Sequence, residues 1–189
     1  DYKIFAPEHF DMIWASPPCN SFSHLQCSWI GRTRNIDGER VTFTKEIMLE
    51  QEQKHGVRIL NKVKKIIKYF DPKYYFIENP QTGRMKNYMT DYQHTDVCYC
   101  MYGFDYQKKT RIWHNNEEYL EEGLWCNHSS HKRQIGCGNN AVSTLNERYS
   151  IPPALVRSIF NCVPEIHRQA YQCEVCNEDG PVLESNDEP

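Results

Sequence analysis

The segment from Ser16 to Ser23 carries a cysteine whose setting suits nucleophilic chemistry. Its sequence is Ser-Pro-Pro-Cys-Asn-Ser-Phe-Ser, so Pro17 and Pro18 stiffen the chain immediately before Cys19. Because proline fixes φ, the direction of the side chain that follows is restricted. A cysteine held in this way, at the start of a polar loop, is placed as a covalent catalyst requires. The alternative is a buried thiol that serves only as a small apolar side chain.

Two further segments carry side chains that could assist a nucleophile. Glu78 and Asn79 follow the apolar run Tyr-Tyr-Phe-Ile, and a carboxyl group beside aromatic rings can have a raised pKa and donate a proton. The alternative is a carboxylate that accepts hydrogen bonds from the neighbouring backbone. Lys109 and Arg111 alternate on the approach to another apolar run, so in a strand both point to one side. The alternative for this pair is a solvated strand edge.

The hydrophobic pattern predicts the strands and helices that must position these residues. Short apolar runs predict strands at residues 11–15, 74–77, 95–101 and 110–113. Helices are predicted from Thr44 to about Phe70, and from Pro152 to about Cys162, with residues 20–43 forming a long loop. An alternation of strands and helices favours an α/β sheet, in which ligands bind beyond the carboxyl ends of the strands. The proposed nucleophile and carboxylate both follow such ends.

The charge of the chain is unevenly distributed. The 189 residues carry a net charge of -3, but residues 174–189 contain six acidic residues and no Lys or Arg. Residues 1–173 therefore hold 22 basic and 19 acidic residues, a net charge of +3 that permits a polyanionic partner without indicating one. No apolar stretch is long enough to span a membrane. Nine cysteines at irregular spacing favour reduced thiols in an intracellular protein.

In this order, the motifs resemble those of the cytosine-5 DNA methyltransferases, most closely the small divergent DNA methylases of phages and large viruses. Residues 18–23 match the Pro-Cys nucleophile motif of the family, and residues 78–79 match its Glu-Asn motif, with Pro80 where many members have Val. Residues 107–111 match its Gln-x-Arg-x-Arg motif, with Lys in the first Arg position. Residues 150–153 align with its last motif but lack the Gly and Asn.

The resemblance implies methylation of cytosine carbon-5 in DNA through a covalent adduct. Cys19 would add to carbon-6 of a base flipped out of the duplex. Glu78 would protonate or hydrogen-bond N3, and Lys109 and Arg111 would stabilise charge near O2 and hold Glu78 in place. The arginines of residues 20–43 would contact phosphates as this loop closes over the DNA.

The methyl donor implied by the resemblance is S-adenosylmethionine. Asp1 aligns with the acidic residue that contacts the adenine end of this cofactor, and the other expected contacts are Pro18, Ser150 and Ile151. The family's Phe-x-Gly-x-Gly turn and its ribose-binding carboxylate are absent from the sequence. We expect them upstream of Asp1 or on a separate polypeptide.

The expected fold is α/β, an incomplete Rossmann-like sheet of an S-adenosylmethionine-dependent methyltransferase with a short, loop-rich target-recognition insertion. Residues 1–113 would form the C-terminal part of the catalytic core, and residues 114–148 the target-recognition region. Residues 149–165 would return to the core as a helix, and residues 166–189 would form an acidic, disordered tail.

Three other functions are compatible with parts of the pattern. Enzymes that methylate the exocyclic N4 or N6 amine carry a Ser/Asp-Pro-Pro-Tyr/Trp turn, which residues 16–18 match, but they do not need a thiol at Cys19. An RNA cytosine methyltransferase would use the same chemistry as the DNA enzyme. A non-catalytic nucleic-acid-binding protein would explain the missing cofactor motif.

Two groups of residues lie outside the motifs of the proposed catalytic site, one with side chains that can bind metals and one of lysines. The first contains the zinc-ligand residue types Cys126, His128, His131 and Cys137. Their spacing matches no standard zinc site, and the nearby pair Cys173 and Cys176 is weak evidence of one, so no metal is assigned. The second contains the helical residues Lys62, Lys64, Lys65 and Lys68, which we interpret as a solvated face.

Overall fold

The computed structural model describes residues 1–121, 124–135, 141–142 and 144–163. The strands in these ranges are β1 (Met12–Ala15), β2 (Thr33–Ile36), β3 (Glu39–Thr42), β4 (Tyr74–Pro80), β5 (His94–Cys98) and β6 (Lys109–His114). The α-helices there are α1 (Lys45–Gln51), α2 (Arg58–Phe70), α3 (Leu145–Tyr149) and α4 (Pro153–Asn161). Cys137, the Cys173 and Cys176 pair and the predicted acidic tail lie outside the described residues.

Four strands form one mixed sheet in the order β1-β4-β6-β5. β1 and β4 are parallel, with Ala15 opposite Ile77, whereas β6 is antiparallel to both of its neighbours. β1, β4 and β5 therefore run in the same direction. The carboxyl ends of β1 and β4 meet at one edge of the sheet, which brings the segments that follow them together. The predicted α/β class is confirmed in this coarse form.

Helices cover both faces of the sheet. One face packs on α4 through the buried side chains Phe76, Ile112, Leu155 and Ile159. The opposite face packs on α2 and on the segment after β1 through Phe22, Leu60, Ile77 and Trp113. Because adjacent residues of β4 and β6 alternate between these two cores, the sheet is buried on both sides, as the apolar runs predict.

The predicted helix from Thr44 to Phe70 is confirmed, but a wide turn interrupts it. The Thr44 hydroxyl caps α1 by accepting a hydrogen bond from the Ile47 amide at 3.3 Å. Between α1 and α2, residues 52–57 form a π-helix. Such segments are rare and concentrate at functional sites. α2 ends where Asp71 adopts a left-handed conformation (φ 44°) before Pro72.

The long loop predicted over residues 20–43 is wrong for its second half, which is a β-hairpin. β2 and β3 pair antiparallel through a two-residue turn at Asp37 and Gly38, whose φ angles are both positive (51° and 96°). Asp-Gly is a favoured sequence for this turn, so the signal was present in the sequence. The predicted strand over residues 95–101 also ends earlier, because a 3-10 helix begins at Tyr99.

Within the described residues, no helix combines the length and apolar character needed to cross a bilayer. Three of the four predicted surface lysines of α2 are exposed, as expected. Lys64 is the exception, because its ammonium group donates a hydrogen bond to the Tyr88 carbonyl at 2.6 Å and lies 4.9 Å from the Tyr92 ring.

Candidate active site

Cys19 lies at the carboxyl end of β1, where the chain turns into a 3-10 helix over Cys19–Phe22. Pro17 is buried, Pro18 is exposed, and Cys19 is half-buried. The Asn79 side chain donates a hydrogen bond to the Pro17 carbonyl at 2.8 Å. This bond joins the Glu-Asn segment directly to the Pro-Pro-Cys segment.

Glu78 is a buried carboxylate near the end of β4, 7% exposed. The Tyr99 hydroxyl donates a hydrogen bond to Glu78 Oε1 at 3.0 Å. Burial, and next the negative charge of Glu78, raise the pKa of Tyr99, so this phenol stays protonated and keeps donating. The bond fixes one carboxyl oxygen of Glu78 and orients the other.

A third charged group, Lys108, interacts with both Cys19 and Glu78. Burial and the charge of Glu78 raise the pKa of the Cys19 thiol, whereas Lys108 lowers it. Burial in turn lowers the pKa of Lys108, while Glu78 and Cys19 raise it. The ammonium group of Lys108 donates to the Arg148 carbonyl at 2.8 Å and lies 4.5 Å from the centre of the Tyr99 ring. Cys19 and Glu78 therefore lie close enough for each to influence the other's charge, beside the half-buried ammonium group of Lys108.

Lys109 and Arg111 share one side of β6, as predicted, but that side is not the one occupied by Glu78. Arg111 lies opposite Asn79 in the ladder, whereas Glu78 lies opposite Ile112. Directly paired residues share a face of the sheet. Arg111 forms a two-pronged ion pair with Asp96, at 2.6 and 2.7 Å. The catalytic roles of Lys109 and Arg111 stay predictions, and the structure does not bring either side chain to Glu78.

Lys109 instead stacks on an aromatic side chain of the loop-rich region. Its ammonium group lies 5.2 Å from the centre of the Trp125 ring. The position of Lys108 was not predicted. The alternation of side chains along a strand shows that Lys109 and Arg111 share one face of the sheet, but it does not show which face. A shift of one residue exchanges the two faces of a strand.

Arg84 is a second residue that the sequence analysis missed, and it holds the segment after Cys19. Its guanidinium group is buried against Glu52 of the π-helix, with Nε 2.5 Å from Glu52 Oε2. The same group donates to the Ser23 carbonyl at 2.8 Å, the Ser21 carbonyl at 3.2 Å and Gln26 Oε1 at 2.9 Å. One buried arginine therefore fixes three points along residues 21–26, which follow Cys19.

Gly56 of the π-helix allows this segment to approach closely. A Cβ atom at this position would lie 2.8 Å from Phe22 Cζ and 3.0 Å from Ser21 Cβ, which is too close for non-bonded carbon atoms. Phe22 is fully buried, so its ring has little room to move. The π-helix and the missing side chain at Gly56 together allow residues 21 and 22 to pack directly against this turn.

The four predicted cofactor residues lie at two ends of the sheet. Pro18 precedes Cys19, and Ser150 and Ile151 closely follow Arg148, whose carbonyl binds Lys108. Asp1 caps a 3-10 helix over Tyr2–Ile4, which packs through Tyr2 against the C-terminal turn of α2, with the rings of Tyr2 and Tyr69 5.3 Å apart. α2 ends just before β4 begins, whereas Cys19 follows the end of β1, so Asp1 is at the opposite edge from Cys19. The cofactor roles stay predictions.

Comparison with known proteins identifies the family. A protein of Frog virus 3 (isolate Goorha), named "Probable DNA (cytosine-5)-methyltransferase", is 35% identical to this chain over 178 residues. The similarity covers 85% of this chain and 79% of the viral protein. The chain belongs to the DNA (cytosine-5)-methyltransferase family. This confirms the family that the motifs predicted, a family of enzymes, and the viral source of the relative agrees with the predicted resemblance to viral methylases. No protein-family model matches the chain.

Proposed function

We propose that this protein methylates carbon-5 of cytosine in DNA, with Cys19 as the covalent nucleophile. The observation that carries the proposal is the hydrogen bond from Asn79 to the Pro17 carbonyl at 2.8 Å, which joins the segments of Glu78 and Cys19 at the carboxyl ends of β1 and β4. The charge of Lys108 acts on both groups there. Family membership supports the same chemistry. A thiol beside a carboxyl group and a cation is the combination needed to add to a cytosine ring and balance the charge that develops.

The chain's own residues can perform the addition and its reversal. The Cys19 thiolate adds to carbon-6, and the electrons displaced from the double bond move toward carbon-5. Glu78 takes up a proton when the base binds and donates it, or a hydrogen bond, from its second carboxyl oxygen to N3. Tyr99 supports this step by holding Oε1. After carbon-5 is methylated, water or hydroxide takes its proton, and the electron pair of that carbon–hydrogen bond re-forms the double bond between carbon-5 and carbon-6. The carbon–sulfur bond breaks at the same time, with its electron pair leaving on Cys19 as thiolate, and N3 returns its proton to Glu78. Lys108 assists throughout because it favours the thiolate of Cys19.

S-adenosylmethionine supplies the methyl group when it is bound. Three of the residues aligned with its contacts are placed to bind it. Pro18 directly precedes Cys19, and Ser150 and Ile151 closely follow Arg148, whose carbonyl binds Lys108. Asp1 lies at the far edge of the sheet, where its carboxylate accepts a hydrogen bond from the Lys3 amide, so its role in cofactor binding rests on the sequence resemblance alone. A separate polypeptide is our proposal for the remaining cofactor contacts.

A cytosine inside a duplex is inaccessible to Cys19, so the base must be flipped out. The hairpin of β2 and β3 offers exposed Arg32 and Arg40 for phosphate contacts, and Arg34 stacks 4.7 Å from the centre of the Trp29 ring. The hairpin follows the nucleophile segment directly along the chain. We infer that it contacts the DNA backbone on that side, which gives salt-sensitive affinity.

The sheet also supports a Rossmann-like arrangement in finer detail. β1 and β4 are parallel and are connected through α1 and α2, which is a strand–helix–strand crossover of the kind that builds such sheets. We propose that this sheet is the C-terminal part of the catalytic core. In this assignment residues 1–113 belong to the core, residues 114–148 to target recognition, and residues 149–165 to a returning helix.

Covalent trapping on DNA that contains 5-azacytosine tests the proposal. We expect the full chain to form an adduct that survives denaturant, and Cys19→Ser to form none. Cys27→Ser is the matched control, because it removes an exposed thiol from the adjacent turn and should leave the adduct unchanged. No adduct with the full chain, supplied with S-adenosylmethionine, would contradict the proposal. Trapping on RNA in preference to DNA would identify an RNA enzyme, and methylation that persists in Cys19→Ser would identify an exocyclic-amine enzyme.

A further inference from the structure

Four side chains with zinc-ligand chemistry converge outside the site already described. They are Cys100, Cys126, His128 and His131, and their ligand atoms all lie within 4.8 Å of one another. Cys100 belongs to the 3-10 helix after β5, whereas the other three belong to the loop-rich region. The sequence spacing gave no indication that Cys100 joins this group, because 25 residues lie between it and Cys126.

The distances within this cluster are close to those around a tetrahedral zinc ion. Cys126 Sγ lies 3.3 Å from both His128 Nδ1 and His131 Nε2, and Cys100 Sγ lies 3.9 Å from His128 Nδ1. Zinc–sulfur and zinc–nitrogen bonds of about 2.3 and 2.0–2.1 Å, at tetrahedral angles, separate neighbouring ligand atoms by roughly 3.3–3.8 Å. The four side chains therefore surround a space close to the size that a zinc ion needs, and the widest pair, at up to 4.8 Å, has to close by only about 1 Å.

The surroundings of Cys126 also resemble those of a metal-bound thiolate. The His128 amide approaches Cys126 Sγ at 3.4 Å, and the Gln107 side-chain amide approaches it at 3.7 Å. Donors of this kind stabilise a thiolate and orient it toward a metal. Cys126 is buried and His128 is exposed, so the cluster has a dry side and a side from which an ion can enter.

The position of the cluster indicates what a bound ion would do. The Cys98 amide at the end of β5 already donates to the Leu124 carbonyl at 2.9 Å. A metal between Cys100 and residues 126–131 would fasten the loop-rich region to the sheet beside this bond. It would also hold Trp125 in place against Lys109. Four protein ligands close the coordination shell, which is typical of structural rather than catalytic zinc.

We propose that Cys100, Cys126, His128 and His131 bind one structural zinc ion that fastens the loop after β6 to the end of β5. Two thiolates and two neutral imidazoles balance the charge of Zn²⁺. The ion is independent of the methyl-transfer steps, so its presence can be measured without any assay of activity.

Metal analysis of the full chain, purified under reducing conditions without added chelator, tests the proposal. We expect about one zinc ion per chain, and on exchange with Co²⁺ the absorption of a tetrahedral site with thiolate-to-cobalt charge transfer. Cys126→Ser and His131→Asn should lose the zinc and the cobalt spectrum. Cys27→Ser and His94→Gln are matched controls at exposed positions of the same residue types, and both should retain them.

Three further variants test which side chains bind the ion. Two other cysteines could replace Cys100 as a zinc ligand: Cys98, whose Sγ lies 3.4 Å from Cys100 Sγ, and Cys137, which follows the other three ligands in the sequence. We expect Cys98→Ser and Cys137→Ser to keep the metal and Cys100→Ser to lose it. Loss in either of the first two, with retention in Cys100→Ser, would overturn the assignment of Cys100. A full chain that holds no zinc and gives no tetrahedral cobalt spectrum would overturn the site, whatever the result of covalent trapping.

Discussion

Replacement of Arg84 by methionine should weaken the fold strongly and impair the nucleophile segment at the same time. The change removes the positive charge that faces Glu52 and the donors to Ser21, Ser23 and Gln26, but keeps a long apolar side chain. Glu52 then remains as a buried carboxylate without its cation. We therefore expect both lower stability and slower adduct formation.

The magnitude follows from the burial of the ion pair. The side chains of Arg84 and Glu52 are 9% and 2% exposed, so neither charge is screened by water. Removing one partner of a buried pair costs about 3–5 kcal/mol, because the other charge is left uncompensated. A domain has a total stability of about 5–15 kcal/mol, so the variant should still fold.

Urea denaturation of the variant and of two controls measures this loss. Lys54→Met breaks another ion pair, Lys54 with Asp37, whose N···O distance is 2.6 Å but whose side chains are 51% and 59% exposed. Its free energy of unfolding should be nearly unchanged, since exposed pairs contribute little. The double variant Arg84→Met with Glu52→Met should be more stable than Arg84→Met alone, because no buried charge is left over.

Two results would refute this reasoning. One is a loss of less than about 1 kcal/mol in Arg84→Met, the range of exposed pairs. The other is a double variant that is at least as unstable as Arg84→Met alone, which would mean that the charge of Glu52 is not the cause. Adduct formation at a temperature where every variant is folded then separates the effect on the nucleophile segment from the effect on stability.

Three more predictions concern charges at or near the site. Glu78→Gln should speed alkylation of Cys19 by iodoacetamide at neutral pH, because the negative charge that raises the pKa of the thiol is gone. The same variant should slow covalent trapping by about 10²–10⁴-fold, since Gln cannot donate a proton to N3. Lys108→Met should raise the pKa of Cys19 and slow both reactions, and a faster alkylation would contradict its assigned role. Burial lowers the pKa of His114 to about 4. His114 is neutral in the folded state while the unfolded chain gains a proton below about pH 6.5, so stability should fall by about 3 kcal/mol between pH 6.5 and 4. Urea titrations across that range should show a flatter pH dependence for His114→Gln than for the unchanged chain.

The neutral form of His114 is consistent with its contacts. The Thr95 hydroxyl donates to the Tyr119 carbonyl at 3.2 Å, so it can only accept from His114 Nε2, which lies 3.0 Å away. His114 therefore carries its proton on Nε2 as a neutral ring. Protonation of the other nitrogen would place a charge in a fully buried position, which explains the direction of the pKa shift.

The sequence predicted the elements that depend on local patterns. β1, β4 and the helix capped by Thr44 follow from apolar periodicity, a cap and a stop signal, all of which act within a few residues. The closeness of the segments that carry Cys19 and Glu78 was also predictable. Cys19 follows β1, Glu78 lies near the end of β4, and the two strands are parallel neighbours. These features need no knowledge of which distant segments touch.

The features that the sequence analysis missed depend on contacts between distant segments. Arg84 is one arginine among many until the fold places it against Glu52, and Cys100 is an isolated cysteine until β5 ends beside residues 126–131. The face on which Lys108 lies depends on the register of β6 against β4, which is set by packing on both sides of the sheet. Each case requires tertiary information that spacing along the chain does not contain.

Lys108 and Lys109 show how the loop-rich region is connected to the catalytic groups. They are neighbours in sequence at the start of β6, yet they point to opposite sides. The charge of Lys108 acts on Cys19 and Glu78, and its ammonium group is anchored on the Arg148 carbonyl, where the chain returns to the core. Lys109 stacks on Trp125, which lies earlier in the same region. Two separate parts of the region that leaves the sheet after β6 are therefore in contact with this pair of lysines, and one of the two lysines also acts on the proposed nucleophile.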